Sequence, residues 1–166
     1  MAHTANGNCI WKSIAAGTIG GLAAAFAMNQ FQSLVSGASG QQESSGQDED
    51  ATVKTAKAIS HRVFCHELTE DQKKWAGPAV HYSLGASLGA IYGLAANTIP
   101  MADAGMGTAY GTAVWIGADE ISVPALGLAK GPADTPLSSH ASALASHLVY
   151  GLVTGLTRKL ILKTVA

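Results

Sequence analysis

Long stretches without charged residues constrain the fold of this chain more than any other feature of its sequence. Four such stretches hold no Asp, Glu, Lys or Arg, apart from Asp119 and Glu120 in the third. A transmembrane helix needs about 20 mostly apolar residues to cross roughly 30 Å of hydrocarbon. The sequence therefore predicts one all-α membrane domain, residues 1–166, built as a four-transmembrane-helix bundle. The predicted spans are residues 13–36, 76–98, 104–128 and 142–163.

The composition supports a membrane domain and excludes several functional classes. The 166 residues are 48% hydrophobic and 13% charged, which is too apolar for an ordinary soluble domain of this length. A net charge of −1 gives no basis for nucleic-acid binding, which needs a basic surface. Phosphate-binding loops, dinucleotide glycine motifs, zinc-type Cys pairs and nucleophile elbows are absent from the sequence. We therefore predict no enzyme, no catalytic residue and no metal site, and the sequence leaves any cofactor undetermined.

The polar loop between the first two spans, residues 37–75, is predicted to carry an amphipathic helix. Its Gly/Ser/Gln-rich beginning cannot bury enough apolar surface to order itself. Further on, Val53, Ala56 and Ile59 begin an apolar pattern at three- and four-residue spacing, which Val63 and Phe64 continue. We expect this face to lie on the membrane interface or on the bundle rim, with a partner-binding face as the alternative.

Two local signals place the helices that follow the loop. Thr69, followed three residues later by Gln72, has the spacing of a capping box and predicts a helix start just before the second span. The turn between spans two and three, residues 97–103, is short and contains Pro100. We therefore expect spans two and three to be antiparallel neighbours.

An internal repeat suggests that the bundle consists of two tandem helical hairpins. Spans one and three share a Gly-Thr, a Gly and a polar pair, and each element of the third span lies 90 residues after its match. Spans two and four share a His and two Gly residues at an offset of 66. Chance similarity between Gly-rich spans is the alternative to a duplication. The matched pairs are Gly17 with Gly107, Gly21 with Gly111, Asn29 and Gln30 with Asp119 and Glu120, His81 with His147, Gly85 with Gly151, and Gly89 with Gly155.

Polar residues within the spans are predicted to form one layer in one leaflet of the membrane. Charges near the bilayer centre are costly, so carboxylates there should face the interior and be paired or protonated. Pro124 is predicted to kink the third span, because it cannot donate to the Glu120 carbonyl. The layer is a structural hydrogen-bonded network, a proton- or cation-handling site, or, less well supported by the spacing, a divalent metal site. Its members are Asn29, Gln30, His81, Asp119, Glu120 and His147.

The two adjacent carboxylates are predicted to play different roles. Neighbouring residues of an α-helix point about 100° apart, so Asp119 and Glu120 should not face the same seam. At least one of them must find a separate partner or stay protonated. His147 should lie nearest to them if each hairpin packs on itself.

Several segments resemble one family of bacterial proteins. The runs His81–Gly85, Tyr110–Trp115, Asp119–Leu128 and Ser146–Gly151 are similar to those of the YagU-like family of uncharacterised inner-membrane proteins. The resemblance covers about residues 14–160 and implies a role in acid resistance, but no reaction, solute or catalytic residue.

These observations support two functional hypotheses for a multi-pass protein of the bacterial inner membrane. The first is a non-enzymatic protein whose polar layer senses or conducts protons, since histidine titrates near physiological pH. The second is a structural or accessory subunit of a larger membrane complex. The expected partners are the lipid bilayer and either a second copy of the chain or other membrane subunits. The basic cluster from Arg158 to Lys163 favours cytoplasmic termini.

Overall fold

The computed structural model describes residues 7–38 and 51–165, and within them all regular secondary structure is helical. This confirms the predicted all-α class. The Gly/Ser/Gln-rich beginning of the first loop lies largely outside the described residues. The helices are α1 (Gly7–Ala38), α2 (Ala51–Phe64), α3 (Glu70–Thr98), α4 (Thr108–Trp115), a π-helix (Ile116–Ser122), α5 (Val123–Ala125) and α6 (Leu137–Thr164), with short 3-10 turns at Pro100–Gly107 and Pro132–Asp134.

Three of the predicted spans lie inside single long helices, and the third differs. Residues 108–125 form one continuous rod of α4, the π-helix and α5, which we call the π-containing helix. Its start is later than predicted, because Gly105, Met106 and Gly107 adopt φ values of 59°, 59° and 98°. These left-handed conformations break the helix, and glycine adopts them without steric cost.

One described helix, Cys9–Gly37, is long and apolar enough to cross a membrane by its length and composition. A single helix of this kind is weak support for a membrane protein.

Helix α1 packs closely against both α3 and α6, and the π-containing helix packs against α6. Spans two and three, which were predicted to be antiparallel neighbours, do not pack backbone against backbone. Helix α3 and the π-containing helix are instead linked by tyrosine side chains. The Tyr110 hydroxyl donates to the Leu88 carbonyl at 2.7 Å, and the Tyr92 and Tyr110 rings lie 5.0 Å apart.

Helices α1 and α3 pack backbone against backbone along a glycine seam. A Cβ atom on Gly89 would collide with the carbonyl oxygen of Gly17, and one on Gly21 would collide with the carbonyl of Gly85. Ser13 extends the seam by donating from its hydroxyl to the Gly93 carbonyl at 2.6 Å. Such close approach maximises van der Waals contact, which drives helix association where a hydrophobic force is absent.

The second hairpin has its own glycine seam in a different register. A Cβ atom on Gly111 would collide with the carbonyl of His147. If the two hairpins packed alike, Gly111 would instead meet the carbonyl of Gly151, as its match Gly21 meets the carbonyl of Gly85. The second hairpin is thus shifted by one helical turn relative to the first. The two halves share an architecture of paired Gly-rich helices, but matched sequence positions are not equivalent in packing.

Helix α2 is present as predicted and packs on the beginning of α3. Gly77 leaves room for the Val53 side chain, and Ala56 is buried. The predicted side-chain positions of Val63 and Phe64 lie outside the described structure. The Thr69–Gln72 capping box is confirmed, since the Thr69 N–H donates to the Gln72 side chain at 2.9 Å and the Gln72 N–H donates back at 3.4 Å.

The glycine seam predicts a sharp difference between two Gly-to-Ala changes. We expect Gly89→Ala to lower the free energy of unfolding by about 1–3 kcal/mol, because the new methyl group meets rigid backbone. Gly37→Ala is the matched control, since a Cβ there meets no atom within 4 Å. Unfolding in mixed micelles followed by circular dichroism measures both. Equal stabilities of the two variants would contradict the seam.

Candidate functional site

A cavity of about 550 Å³ lies where α3 and the π-containing helix stay apart. Helices α1 and α6 also line it, and α2 and the segment before α6 border it. Its apolar lining includes Met28, Leu84, Leu88, Val114 and Val123. Its polar lining includes Asn29, His81, Asp119, Glu120, His140 and His147.

The cavity brings together five of the six residues predicted for the polar layer. The exception is Gln30, which is exposed on α1 and does not line the cavity. Gln30 follows Asn29 directly, and one α-helical step of about 100° turns its side chain away. Gln30 is therefore the one predicted layer residue that does not line the cavity.

The π-helix explains why both carboxylates line the same cavity. Its hydrogen bonds reach five residues back, as in the bond from the Val123 N–H to the Ala118 carbonyl. The wider turn rotates neighbouring residues by less than an α-helix does. The expectation that Asp119 and Glu120 could not share a seam assumed α-helical geometry and is wrong for that reason. Each carboxylate nevertheless has a separate partner on α6.

Pro124 lies directly after the π-helix, where the sequence predicts a kink. The irregularity begins earlier, at Ile116, and the backbone of Val123 remains right-handed helical. Because Pro124 has no N–H to donate, the π pattern of hydrogen bonds ends at Val123. The structure therefore shows a widened turn just before the proline.

Glu120 pairs with His140, a residue that sequence reasoning missed. The His140 Nδ1 lies 2.7 Å from the Glu120 carboxylate, and its Nε2 lies 3.1 Å from the Pro132 carbonyl. Both partners are acceptors, so His140 satisfies both only by donating from both nitrogens, as the imidazolium does. The hydrogen bond to Glu120, followed by that to Pro132, raises the pKa of His140 above its usual value.

A sequence signal for His140 existed in its distance from His147. The two histidines are seven residues apart, which is two turns of one helix and places them on the same face of α6. His140 lies just before the predicted fourth span, residues 142–163. The structure begins α6 at Leu137 and so includes it.

Asp119 lies near His147 without a hydrogen bond to it. The distance from His147 Nδ1 to the Asp119 carboxylate is 3.6 Å. The same Nδ1 lies 3.0 Å from the Ala143 carbonyl, an acceptor, and therefore donates there. The Asp119 side chain is 37% exposed, and no described residue donates a hydrogen bond to it.

Other contacts tie the walls of the cavity together. His81 Nε2 lies 3.3 Å from the Ala25 carbonyl and joins α3 to α1. The Tyr150 hydroxyl, on a side chain only 3% exposed, donates to the Gly85 carbonyl at 2.7 Å and joins α6 to α3. Within the described residues, no group of three or more His, Cys, Asp or Glu side chains is placed to hold a metal ion.

A second polar cluster closes the opposite end of the bundle. Arg158, predicted only as part of a terminal basic cluster, is buried on α6. Its guanidinium donates to the Ser13 hydroxyl at 2.8 Å and to the Asn97 side chain at 3.4 Å. It also lies over the Tyr92 ring, 5.9 Å from the ring centroid. These contacts connect α6 to α1 and α3.

Asp103 completes this second cluster. It accepts from the Tyr92 hydroxyl at 2.8 Å and pairs with Lys159 at 3.0 Å. Burial favours a higher pKa for Asp103, but the hydrogen bonds from Tyr92 and Lys159 outweigh it and hold the pKa below its usual value. The cluster therefore fixes the turn before α4 against α6.

A comparison with protein families identifies the chain at the family level. The model described as "Protein of unknown function (DUF1440)" matches residues 51–156, which is more than half of the sequence. The chain belongs to the DUF1440 family. The matched range holds every cavity residue except those of α1. No curated protein and no solved structure matches the chain.

The hydrogen bond from Tyr150 to the Gly85 carbonyl predicts that removing the Tyr150 hydroxyl destabilises the protein more than removing the Tyr82 hydroxyl does. We expect Tyr150→Phe to cost about 0.5–1.5 kcal/mol of unfolding free energy, because a buried hydrogen bond is lost. Tyr82→Phe is the control, since the Tyr82 hydroxyl has only a long contact of 3.5 Å with Asn29. The same micelle unfolding assay compares them. A larger loss of unfolding free energy for Tyr82→Phe than for Tyr150→Phe would contradict the predicted role of the Tyr150 hydrogen bond.

Proposed function

We propose that this DUF1440 protein is a pH-responsive protein of the bacterial inner membrane. In this proposal it crosses the bilayer as a four-helix bundle, and acid strengthens the contact between its π-containing helix and α6. The observation that carries the proposal is His140, whose two ring nitrogens both face acceptor oxygens. Protonation supplies the second donor that this geometry requires.

The distribution of large and small side chains supports a bundle in lipid. The buried residues of the long helices are mainly Gly, Ala, Ser and Tyr, whereas many large aliphatic side chains face outward. A water-soluble bundle normally buries its large aliphatic residues. Exposed examples on the four long rods are Ile19, Leu22, Phe26, Leu84, Ile91, Leu94, Ile116, Ile121, Leu156 and Leu160.

Two exposed tryptophans lie one bilayer thickness apart. Trp11 is 71% exposed near the start of α1, and Trp75 is 79% exposed near the start of the antiparallel α3. Continuing the register in which Gly21 lies opposite Gly85 brings Trp75 level with Phe31. The 20 residues from Trp11 to Phe31 span about 30 Å of helix, which equals the hydrocarbon thickness. Tryptophan side chains favour the membrane–water interfaces. This spacing would place one of the two tryptophans at each interface.

The pH response follows from the raised pKa of His140. A group whose pKa is higher in the folded protein contributes stability that is fully present below its unfolded value, about 6.5 for histidine. That contribution is lost as the pH rises through the folded value. Acidification from neutral pH therefore strengthens the bond between Glu120 and His140 and fastens the π-containing helix to α6.

The resemblance to the YagU-like family adds a physiological setting to this proposal. That family is associated with acid resistance, which agrees with a contact that acid strengthens. With cytoplasmic termini, the cavity end of the bundle faces the periplasm, the compartment that acidifies first. We therefore place the response on the periplasmic side of the inner membrane.

The proposed topology predicts the labelling of the two cysteines. Cys9 and Cys65 are both exposed and free, and they lie at opposite ends of the bundle. An impermeant thiol reagent applied to intact cells should label Cys65 and leave Cys9 unlabelled. The Cys9→Ser and Cys65→Ser variants identify each signal. Labelling of both residues would exclude a span between them, and labelling of Cys9 alone would reverse the orientation.

The proposed pH response predicts a stability difference that depends on His140. We expect the thermal midpoint of the wild-type protein in mild detergent to rise between about pH 8 and about pH 6. His140→Gln should remove most of this rise, and Glu120→Gln should do the same because it breaks the same bond. His61→Gln is the control, since His61 is exposed on α2. An unchanged pH dependence in both cavity variants would overturn the proposal.

A second candidate function is a subunit of a larger membrane complex. Ala79, Ser83 and Ser87 form an exposed stripe of small residues at four-residue spacing on α3. In lipid, such stripes permit close contact with another helix. Purification in mild detergent separates the two candidates, since stable co-purification with unrelated membrane proteins would favour the subunit.

A further inference from the structure

We propose that the cavity binds a protonated amine attached to an apolar body, with the ammonium group paired to Asp119, and that acid releases this ligand. The inference deepens the proposed function, because it assigns a ligand class to the same cavity. It rests on the membrane setting proposed above but uses different side chains for its pH dependence.

The size and lining of the cavity fit a small amphiphilic molecule. Its volume of about 550 Å³ falls within the roughly 300–1,000 Å³ typical of small-molecule sites. Leu84 and Leu88 of α3 face Val114 and Val123 of the π-containing helix across it. These side chains offer apolar contact to the body of a ligand.

The Asp119 carboxylate favours a positively charged ligand. Glu120 already accepts a short hydrogen bond from His140, whereas Asp119 accepts none from the described residues. A carboxylate in a partly apolar cavity is stabilised by a donor that carries positive charge. An ammonium group supplies both the charge and the hydrogen bond that Asp119 lacks.

The titratable neighbours of Asp119 come from several elements. The adjacent Glu120 lies on the same helix, and His81 comes from α3. His140, His147 and Tyr150 come from α6, and Lys130 comes from the segment before α6. Helices α1 and α2 contribute no titratable side chain to the lining. Within the described residues, Lys130 is the one Lys or Arg that lines the cavity.

Protonation of His147 supplies the competing charge. Its ring already lies 3.6 Å from the Asp119 carboxylate. A positive charge on this ring, so close to the carboxylate, would compete with the ammonium group for Asp119. The ligand should therefore bind at neutral pH and leave under acid.

A lipid-soluble ligand has a route into the cavity between two helices. The π-containing helix and α3 are joined by tyrosine contacts rather than by a glycine seam. The wall between them is thus the least closely packed side of the bundle. A ligand that partitions into the bilayer could enter there without passing through the polar loop.

Adamantylamine and adamantanol form a matched pair of probes for this inference. They share one apolar cage, but only the amine carries a charge, and it stays protonated from about pH 5.5 to about pH 7.5. Equilibrium dialysis against the full-length protein in nonionic micelles, with empty micelles as the blank, measures binding. We expect the amine to bind with one site per chain near pH 7.5, at least about tenfold more tightly than the alcohol.

Two variants test the proposed contacts. Asp119→Asn should weaken amine binding about tenfold near pH 7.5, whereas Asp134→Asn, at an exposed loop position, should leave it unchanged. His147→Gln should still bind the amine near neutral pH but should lose the release near pH 5.5. Circular dichroism and size-exclusion chromatography check that each variant is folded.

The outcomes separate this inference from the proposed function. Equal binding of the amine and the alcohol, or undiminished binding by a folded Asp119→Asn variant, would overturn the inference. A pH-dependent stability that requires His140 would survive that result and leave the proposed function standing. Conversely, amine binding through Asp119 without any role of His140 in stability would support the ligand and overturn the pH response as proposed.

Discussion

Backbone contact at glycine sets the distances among the long helices, and the cavity depends on those distances. Gly17 and Gly21 hold α1 against α3, while Gly107 and Gly111 hold the π-containing helix against α6. Helix α1 also touches α6 closely, because a Cβ on Gly20 would lie 2.8 Å from the Thr154 carbonyl. With α1 and α6 joined at the centre, α3 and the π-containing helix have no seam of their own. The cavity is the space that remains between them.

The two His–carboxylate pairs differ in how completely they are satisfied, and this difference separates their proposed roles. The bond between Glu120 and His140 is short, and the second nitrogen of His140 also has an acceptor. Asp119 and His147 are close enough to interact electrostatically but are not hydrogen-bonded to each other. A satisfied pair suits a structural contact that depends on pH. An unsatisfied carboxylate suits a ligand.

Much of the architecture was predictable because it depends on patterns that are local in sequence. The charge-free stretches located the long helices, and Thr69 with Gln72 located the start of α3. The glycine spacing predicted close helix packing, although the one-turn difference in register between the hairpins depends on which carbonyl each glycine meets. That choice is made by tertiary contacts and leaves no sign in the spacing.

The residues that form the site were predictable only in part. Asn29, His81 and His147 were grouped because polar residues inside apolar spans avoid lipid, and all three line the cavity. Gln30 was grouped with them but does not line the cavity, since adjacency in sequence does not place two residues on one face of an α-helix. His140 was missed because its partner is 20 residues away, and the π-helix was missed because no simple sequence pattern marks a change in hydrogen-bond register.

The π-helix fixes which side chains face α6 at the carboxylate end of the bundle. A π turn contains one residue more than the α turn it replaces, so the two forms interconvert only when the chain slips by a whole residue along the helix axis. Such a slip would turn everything beyond it by about 100° and exchange the positions of neighbouring side chains relative to α6. Pro124 and the left-handed Gly127, with φ of 70°, bound the stretch that would have to move. The register of the π-helix therefore decides which of the two acids faces which histidine.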